Sequence, residues 1–150
     1  MRGKTIAAAT LVAGTLDIAS AVIIALVRGK SVTGMLQGVA SGPLGRWPLE
    51  HGGAGAAAGL VVHFAIMTVM ATAFVLLAPR LPRLGERSLL YGVGYGMLLY
   101  LFMYWVVLPL RFGAGGATGG LVGILLPLTV HIVLVGIPIA VIAARARRAV

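Results

Sequence analysis

Three ionisable side chains interrupt long apolar runs: Asp17 in AGTLDIASA, His63 in GLVVHFAIM and His131 in PLTVHIVLV. An ionised carboxylate facing lipid at mid-helix costs about 2.5 to 3.5 kcal/mol on insertion scales. Asp17 must therefore face protein. With two imidazoles it forms a set able to take up, hold and pass on a proton or to hold a cation. The alternative reading gives all three a packing role, as hydrogen-bonding groups between helices.

Other residues extend or compete with that chemistry. Met67 and Met70 follow His63 at i+4 and i+7 and share its helical face, so imidazole and thioether together make a soft-metal donor set. Methionine also fills gaps in ordinary cores. Two histidines at one level can serve as axial ligands of a haem. Pro127 and Pro138 flank His131, and each removes an amide donor, releasing the carbonyls of Gly123 and Leu134. Broken helices of this kind line transporter sites, and elsewhere proline only bends a helix. Glu50 and His51 precede the second apolar run, where they either form an outer mouth to the polar path or a solvated turn.

The elements that position these groups follow from composition. The chain is 60% hydrophobic, 10% charged and rich in glycine, with 22 in 150 residues, and its mean hydropathy is +1.07. A soluble surface needs roughly a quarter to a third charged residues, so a water-soluble fold is excluded. The net charge of +9 does not indicate nucleic acid, because the basic residues sit in short groups between apolar runs. The absence of cysteine removes disulfides, thiolate metal sites and thiol catalysis. No phosphate-binding glycine motif, HExxH, GxSxG or paired carboxylates occur, which points away from an enzyme.

Four runs reach the roughly 20 residues that cross a bilayer, about 5–27, 56–78, 89–110 and 120–144. They predict an all-α, single-domain, four-helix polytopic membrane bundle covering residues 1–150. The first run has small residues around Ala19 that resemble a signal cleavage site, yet continues through VIIALV as a retained span. Arg2, Lys4, Arg80, Arg83, Arg87, Arg145, Arg147 and Arg148 put eight basic residues on one side, against four on the other at Arg28, Lys30, Arg46 and Arg111. The positive-inside rule then places both termini in the cytoplasm. Tyr104 and Trp105 fall at the outer interface, where aromatic belts form.

Within the first loop, Val32, Met35, Leu36 and Val39 are spaced i, i+3, i+4 and i+7, predicting an amphipathic or re-entrant helix ended by Gly42 and Pro43. On the first span, Thr10, Ala13, Gly14, Asp17, Ser20 and Ala21 make a small, weakly polar stripe suited to close packing. Gly55–Gly59, Gly92–Gly96 and Gly119–Gly123 are GxxxG spacings with the same implication. An offset of 68 residues sets His63 on His131 and Arg80 on Arg148, predicting a parallel repeat with both histidines at one depth. Setting Arg28 on Arg111 brings Asp17 opposite Tyr100.

The order GTLDIASA, MLQGVASGPLG, GLVVHF, a glycine- and tyrosine-rich third span ending VVLPL, and HIVLVGIPIA resembles a group of small four-helix bacterial inner-membrane proteins and is similar to the YagU-like proteins. The resemblance covers most of the chain and implies that membrane and architecture; no reaction is attached to it. Three functions are expected from the residues: proton- or cation-linked transport by a homo-oligomer, haem or metal binding through the histidines, or an accessory role in a larger membrane complex. The lipid bilayer is the one partner common to all. Haem or metal ligation predicts an absorption band or stoichiometric metal in protein purified without added metal, lost in His63→Ala and His131→Ala; colourless, metal-free protein would count against it.

Overall fold

Apolar helix-forming runs bounded by basic residues become four long rods. The computed structural model describes residues 2–113 and 120–148, and among them all regular structure is helical. The elements are α1 (Arg2–Val27), α2 (Val32–Leu44), α3 (Trp47–Glu50), α4 (Gly52–Leu77) and α5 (Ser88–Phe102). A π-helical turn, Met103–Val107, joins α5 to α6 (Leu108–Phe112), and a second, His131–Gly136, joins α7 (Gly120–Val130) to α8 (Ile137–Arg148). Four rods are long and apolar enough to cross a membrane: Arg2–Val27, Gly52–Arg80, Ser88–Phe112 and Gly120–Arg148. The shortest, 25 residues, reaches about 37 Å at helical rise, more than a hydrocarbon core requires. Leu11, Val61, Val69, Leu98, Trp105 and Leu121 are among the large apolar side chains exposed on the outside, as a lipid-facing surface requires.

The inward faces are built from small residues. Thr10, Ala13 and Gly14 of the α1 stripe are buried, as is Ala9 beside it, with Asp17, Ser20 and Ala21 half-buried further along the stripe. On α4, Gly55, Gly59, His63, Met67, Met70 and Phe74 form one buried face. Helix α1 packs between α4 and the α7–α8 rod, which in turn packs on α5. Contact between α4 and α5 runs through side chains: the Tyr95 hydroxyl donates to the Met70 carbonyl at 2.7 Å, and its ring centroid lies 4.9 Å from that of Phe74.

The glycine spacings acquire definite partners. A Cβ on Gly92 would stand 2.6 Å from the Ile137 Cα, and one on Gly96 would strike the His131 carbonyl, so α5 lies backbone to backbone against the second π-helical turn. Gly55 and Gly59 instead admit the backbones of Pro48 and Leu36, in the segment between the first two rods. Gly119 lies outside the described residues.

That segment is helical as the apolar spacing predicts, and Val32, Met35, Leu36 and Val39 are all half-buried. Ser31 caps α2, its side chain accepting from the Gly34 amide at 3.2 Å. Helix α2 packs against α4. Its end differs from the expectation: the helix passes Gly42 and Pro43 and stops after Leu44, at Gly45 with φ +68°. Pro43 falls in the last turn, where it removes a single bond, and only at Gly45 does the chain take the left-handed φ that glycine permits. Arg111, from the far end of α6, holds this helix end by donating to the carbonyl of Ser41 at 2.9 Å and to that of Gly42. A cation there also meets the negative end of the helix dipole. Gln37 ties the other side, donating to the Gly52 carbonyl at 3.0 Å.

Gly96→Leu is expected to lower thermal stability in detergent by about 1 to 3 kcal/mol, the usual cost of overpacking. Gly94→Leu is the control, because that position is exposed and has nothing within 4 Å of its Cβ site; equal losses in the two variants would contradict the close contact.

Candidate functional site

Asp17 projects from the middle of α1 into a cavity of about 440 Å³, whose lining includes His131, Tyr104, Ser20, Pro127 and, toward the end of α1, Arg28 and Phe112. Eleven residues separate Asp17 from Arg28, so the two are about 16 Å apart along one face of α1. Ser20 does not engage the carboxyl: its hydroxyl donates to the Asp17 backbone carbonyl at 2.8 Å.

His63 stands behind this carboxyl, buried on α4. Its Nε2 is 2.9 Å from the Gly14 carbonyl. A carbonyl only accepts, so Nε2 carries the proton and the neutral ring keeps its lone pair on Nδ1. That Nδ1 lies 3.9 Å from Asp17 Oδ2, beyond a hydrogen bond and within the span of a small side-chain rotation. Gly14 makes the approach possible, since a Cβ there would lie 2.7 Å from the Phe64 ring.

His131 is fixed in the opposite tautomer. Its Nδ1 lies 2.8 Å from the Pro127 carbonyl, so Nδ1 donates and Nε2 holds the lone pair. The imidazole is met edge-on by Tyr100 and Tyr104, at centroid distances of 6.1 and 6.0 Å, and those two rings stack at 4.9 Å. His131 lines the same cavity as Asp17. The three residues singled out from the sequence are thus gathered around one carboxyl. The two histidines nevertheless differ in what holds them, one bonding across to α1 and the other to its own helix.

Other groups take definite places, one of them away from the expected one. Tyr104 turns into the cavity, while its neighbour Trp105 is exposed at 59% as a belt residue would be. Glu50 and His51 are not among the residues lining the cavity: Glu50 lies 3.7 Å from Arg46 Nε, and His51 stacks on Trp47 at 4.5 Å while donating to its carbonyl. They form a surface turn, and the exposed residues that line the cavity are Arg28 and Phe112. Met67 and Met70 lie in the hydrophobic core with Ala9, Ala13 and Phe74. Among the described residues, no group of three or more His, Asp and Glu side chains converges closely enough to hold a metal ion.

Sequence reasoning missed the two π-helical turns at the level of the site. Each closes on the residue preceding a proline, Leu108 N–H to the Met103 carbonyl before Pro109, and Ile137 N–H to the Ile132 carbonyl before Pro138. The wide turn accommodates a ring that would clash with the carbonyl four residues back. The shared signal was VVLP and VGIP at the ends of the two runs. Tyr100 was also undervalued. It is 3% exposed and its hydroxyl has no hydrogen-bond partner among the described residues, beside His131, where an unpaired buried hydroxyl calls for an explanation.

No family model, curated protein or solved structure matches the chain.

The carbonyl contacts make a spectroscopic prediction. In ¹⁵N-histidine-labelled protein in micelles, the neutral rings of His63 and His131 should give opposite tautomers, Nε2–H and Nδ1–H, each close to fully populated. Rapidly averaging signals from His63 would show that the Gly14 contact does not hold.

Proposed function

We propose that the chain is a small membrane transport protein linked to a proton or cation, in which Asp17, with His63 and His131, carries the transported charge. The observation that carries this reading is the Asp17 carboxyl, which lines the cavity and receives no hydrogen bond among the described residues, with the lone pair of a tautomer-fixed imidazole 3.9 Å away. A proton arriving from the Arg28 and Phe112 end reaches Asp17 first. From there it passes to Nδ1 of His63 after a small rotation or through a bridging water.

Beyond His63 the path is closed by packed apolar side chains, with Ala9, Ala13, Met67, Val135 and Ile139 all buried. Delivery to the other side therefore requires a rearrangement of the bundle, as alternating access does. The excess of arginine and lysine at the opposite end from the cavity favours an orientation with both termini cytoplasmic and the cavity opening outward. The resemblance drawn from the sequence favours a bacterial inner membrane. Four helices enclose little interior, which favours a homo-oligomer as the working unit.

In proteoliposomes carrying an imposed pH gradient and a trapped pH-sensitive dye, Asp17→Asn should cut proton flux at least about tenfold, consistent with loss of an obligatory proton carrier, at equal protein incorporation. His63→Gln keeps a donor for the Gly14 carbonyl but cannot take a proton, so it should also lose flux while remaining folded. Wild-type flux in both variants would remove this cluster from the mechanism.

A further inference from the structure

The end of the molecule opposite the Asp17 cavity has its own crevice, of about 360 Å³, between the ends of α1, α4 and α8. Its volume falls within the range of small-molecule sites, roughly 300 to 1,000 Å³. Val75, Pro79, Ala143 and Ala146 supply apolar walls, and Arg2 and Arg147 supply the charge. The site is amphiphilic by construction.

The two arginines are placed to hold an anion. Arg147 donates from Nη1 to the carbonyls of Ala78 at 2.7 Å and Leu81 at 3.2 Å. Those bonds fix the guanidinium and use both Nη1 protons. The Nε–Nη2 edge makes no hydrogen bond among the described residues, and that edge is the planar fork that grips two oxygens of a phosphate. The Arg2 side chain makes no hydrogen bond or ion pair among the described residues. Around the crevice the same end carries Lys4, Arg80, Arg83, Arg87, Arg145 and Arg148, against Glu86 as its one acidic side chain. Arg148 is committed to the Gly85 carbonyl. The remaining positive charge has no acidic counterpart at this end among the described residues apart from Glu86, and a cluster of this kind beside membrane spans draws anionic headgroups.

We propose that this crevice is a binding site for one anionic phospholipid, with the phosphodiester on the Arg147 fork and Arg2 and the start of an acyl chain against Val75 and Ala143. Inorganic phosphate shares the headgroup chemistry but gains nothing from the apolar walls. This proposal is independent of the transport reading, since none of its residues belongs to the Asp17 cavity.

The test uses the full chain, purified in mild detergent and delipidated. Phosphatidylglycerol, phosphatidylcholine with the same acyl chains, and inorganic phosphate are titrated separately, with retained lipid read by native mass spectrometry and protection read by thermal melting. One phosphatidylglycerol per chain is expected, in preference to phosphatidylcholine. Arg2→Gln should weaken it about fivefold, the effect of one arginine near an anionic headgroup. Ala146→Trp should fill the crevice and abolish retention. Arg2 is exposed and its side chain makes no hydrogen bond or ion pair among the described residues, so the first variant keeps its fold even if the second does not. Equal retention of the two lipids, undiminished binding in Arg2→Gln, or equal protection by inorganic phosphate would each overturn the proposal.

Discussion

Helices in lipid gain little from burying apolar side chains against one another, because lipid tails already offer an equivalent environment. Backbone proximity and hydrogen bonds to backbone carbonyls must hold such a bundle together, and in this chain both devices are visible. Side-chain hydrogen bonds between elements end on main-chain oxygen: His63 on Gly14, Tyr95 on Met70, Gln37 on Gly52, Arg111 on Ser41 and Gly42, Arg147 on Ala78 and Leu81. The reason lies in composition. With 12 basic residues and three acidic ones, cations cannot be satisfied by carboxylates, and the last carbonyls of helices are the acceptors that remain. Arginine at those ends also complements the helix dipole.

The same economy explains what is left over. Carbonyls fix the tautomers of His63 and His131, each bond directing one lone pair elsewhere. The Asp17 carboxyl, the one acidic group within the rods, receives no hydrogen bond among the described residues. A purely structural intramembrane carboxyl would be expected to have a donor, since an unsatisfied polar group buried from water costs about 1 to 3 kcal/mol. Asp17 instead lines a cavity, half-buried rather than sealed in packed side chains. The Tyr100 hydroxyl, buried and unpaired against His131, has no such outlet, and its cost is borne where the polar groups cluster.

The four spans, the inward stripe on α1 and the apolar face of α2 were legible because each rests on regular helical spacing, which a single sequence displays directly. The features that were not legible depend on breaks in that spacing or on long-range partners. Nearness to the end of its span sends Tyr104 to the lipid interface, but depth along a helix does not say which way a side chain turns, and the π-helical turn that contains Tyr104 breaks the regular spacing there. The end of α2 depends on Arg111, some 70 residues away, and on the φ of Gly45. Gly55 and Gly59 showed that something packs closely against α4, and nothing local indicated α2 and α3 as that partner.

The two halves of the site are built with different rigidity. Asp17 and His63 stand on α1 and α4, uninterrupted through their spans and joined by the His63–Gly14 bond. Tyr104 and His131 stand on rods that change helical type at their own level, Tyr104 within one π-helical turn and His131 at the start of the other. A π-helical turn that reverts to α-helix shifts register by one residue, swinging the side chains on its far side by about 100°. The wall facing Asp17 is thus built on irregular helix, while the Asp17–His63 pair stands on regular helix. The glycine contact at Gly92, Gly96 and Gly136 couples the interrupted rods, because their backbones touch and neither can turn there without displacing the other. The proton transport proposed for this chain would draw on that combination: a pair on regular helix to hold the charge and an interrupted wall facing it.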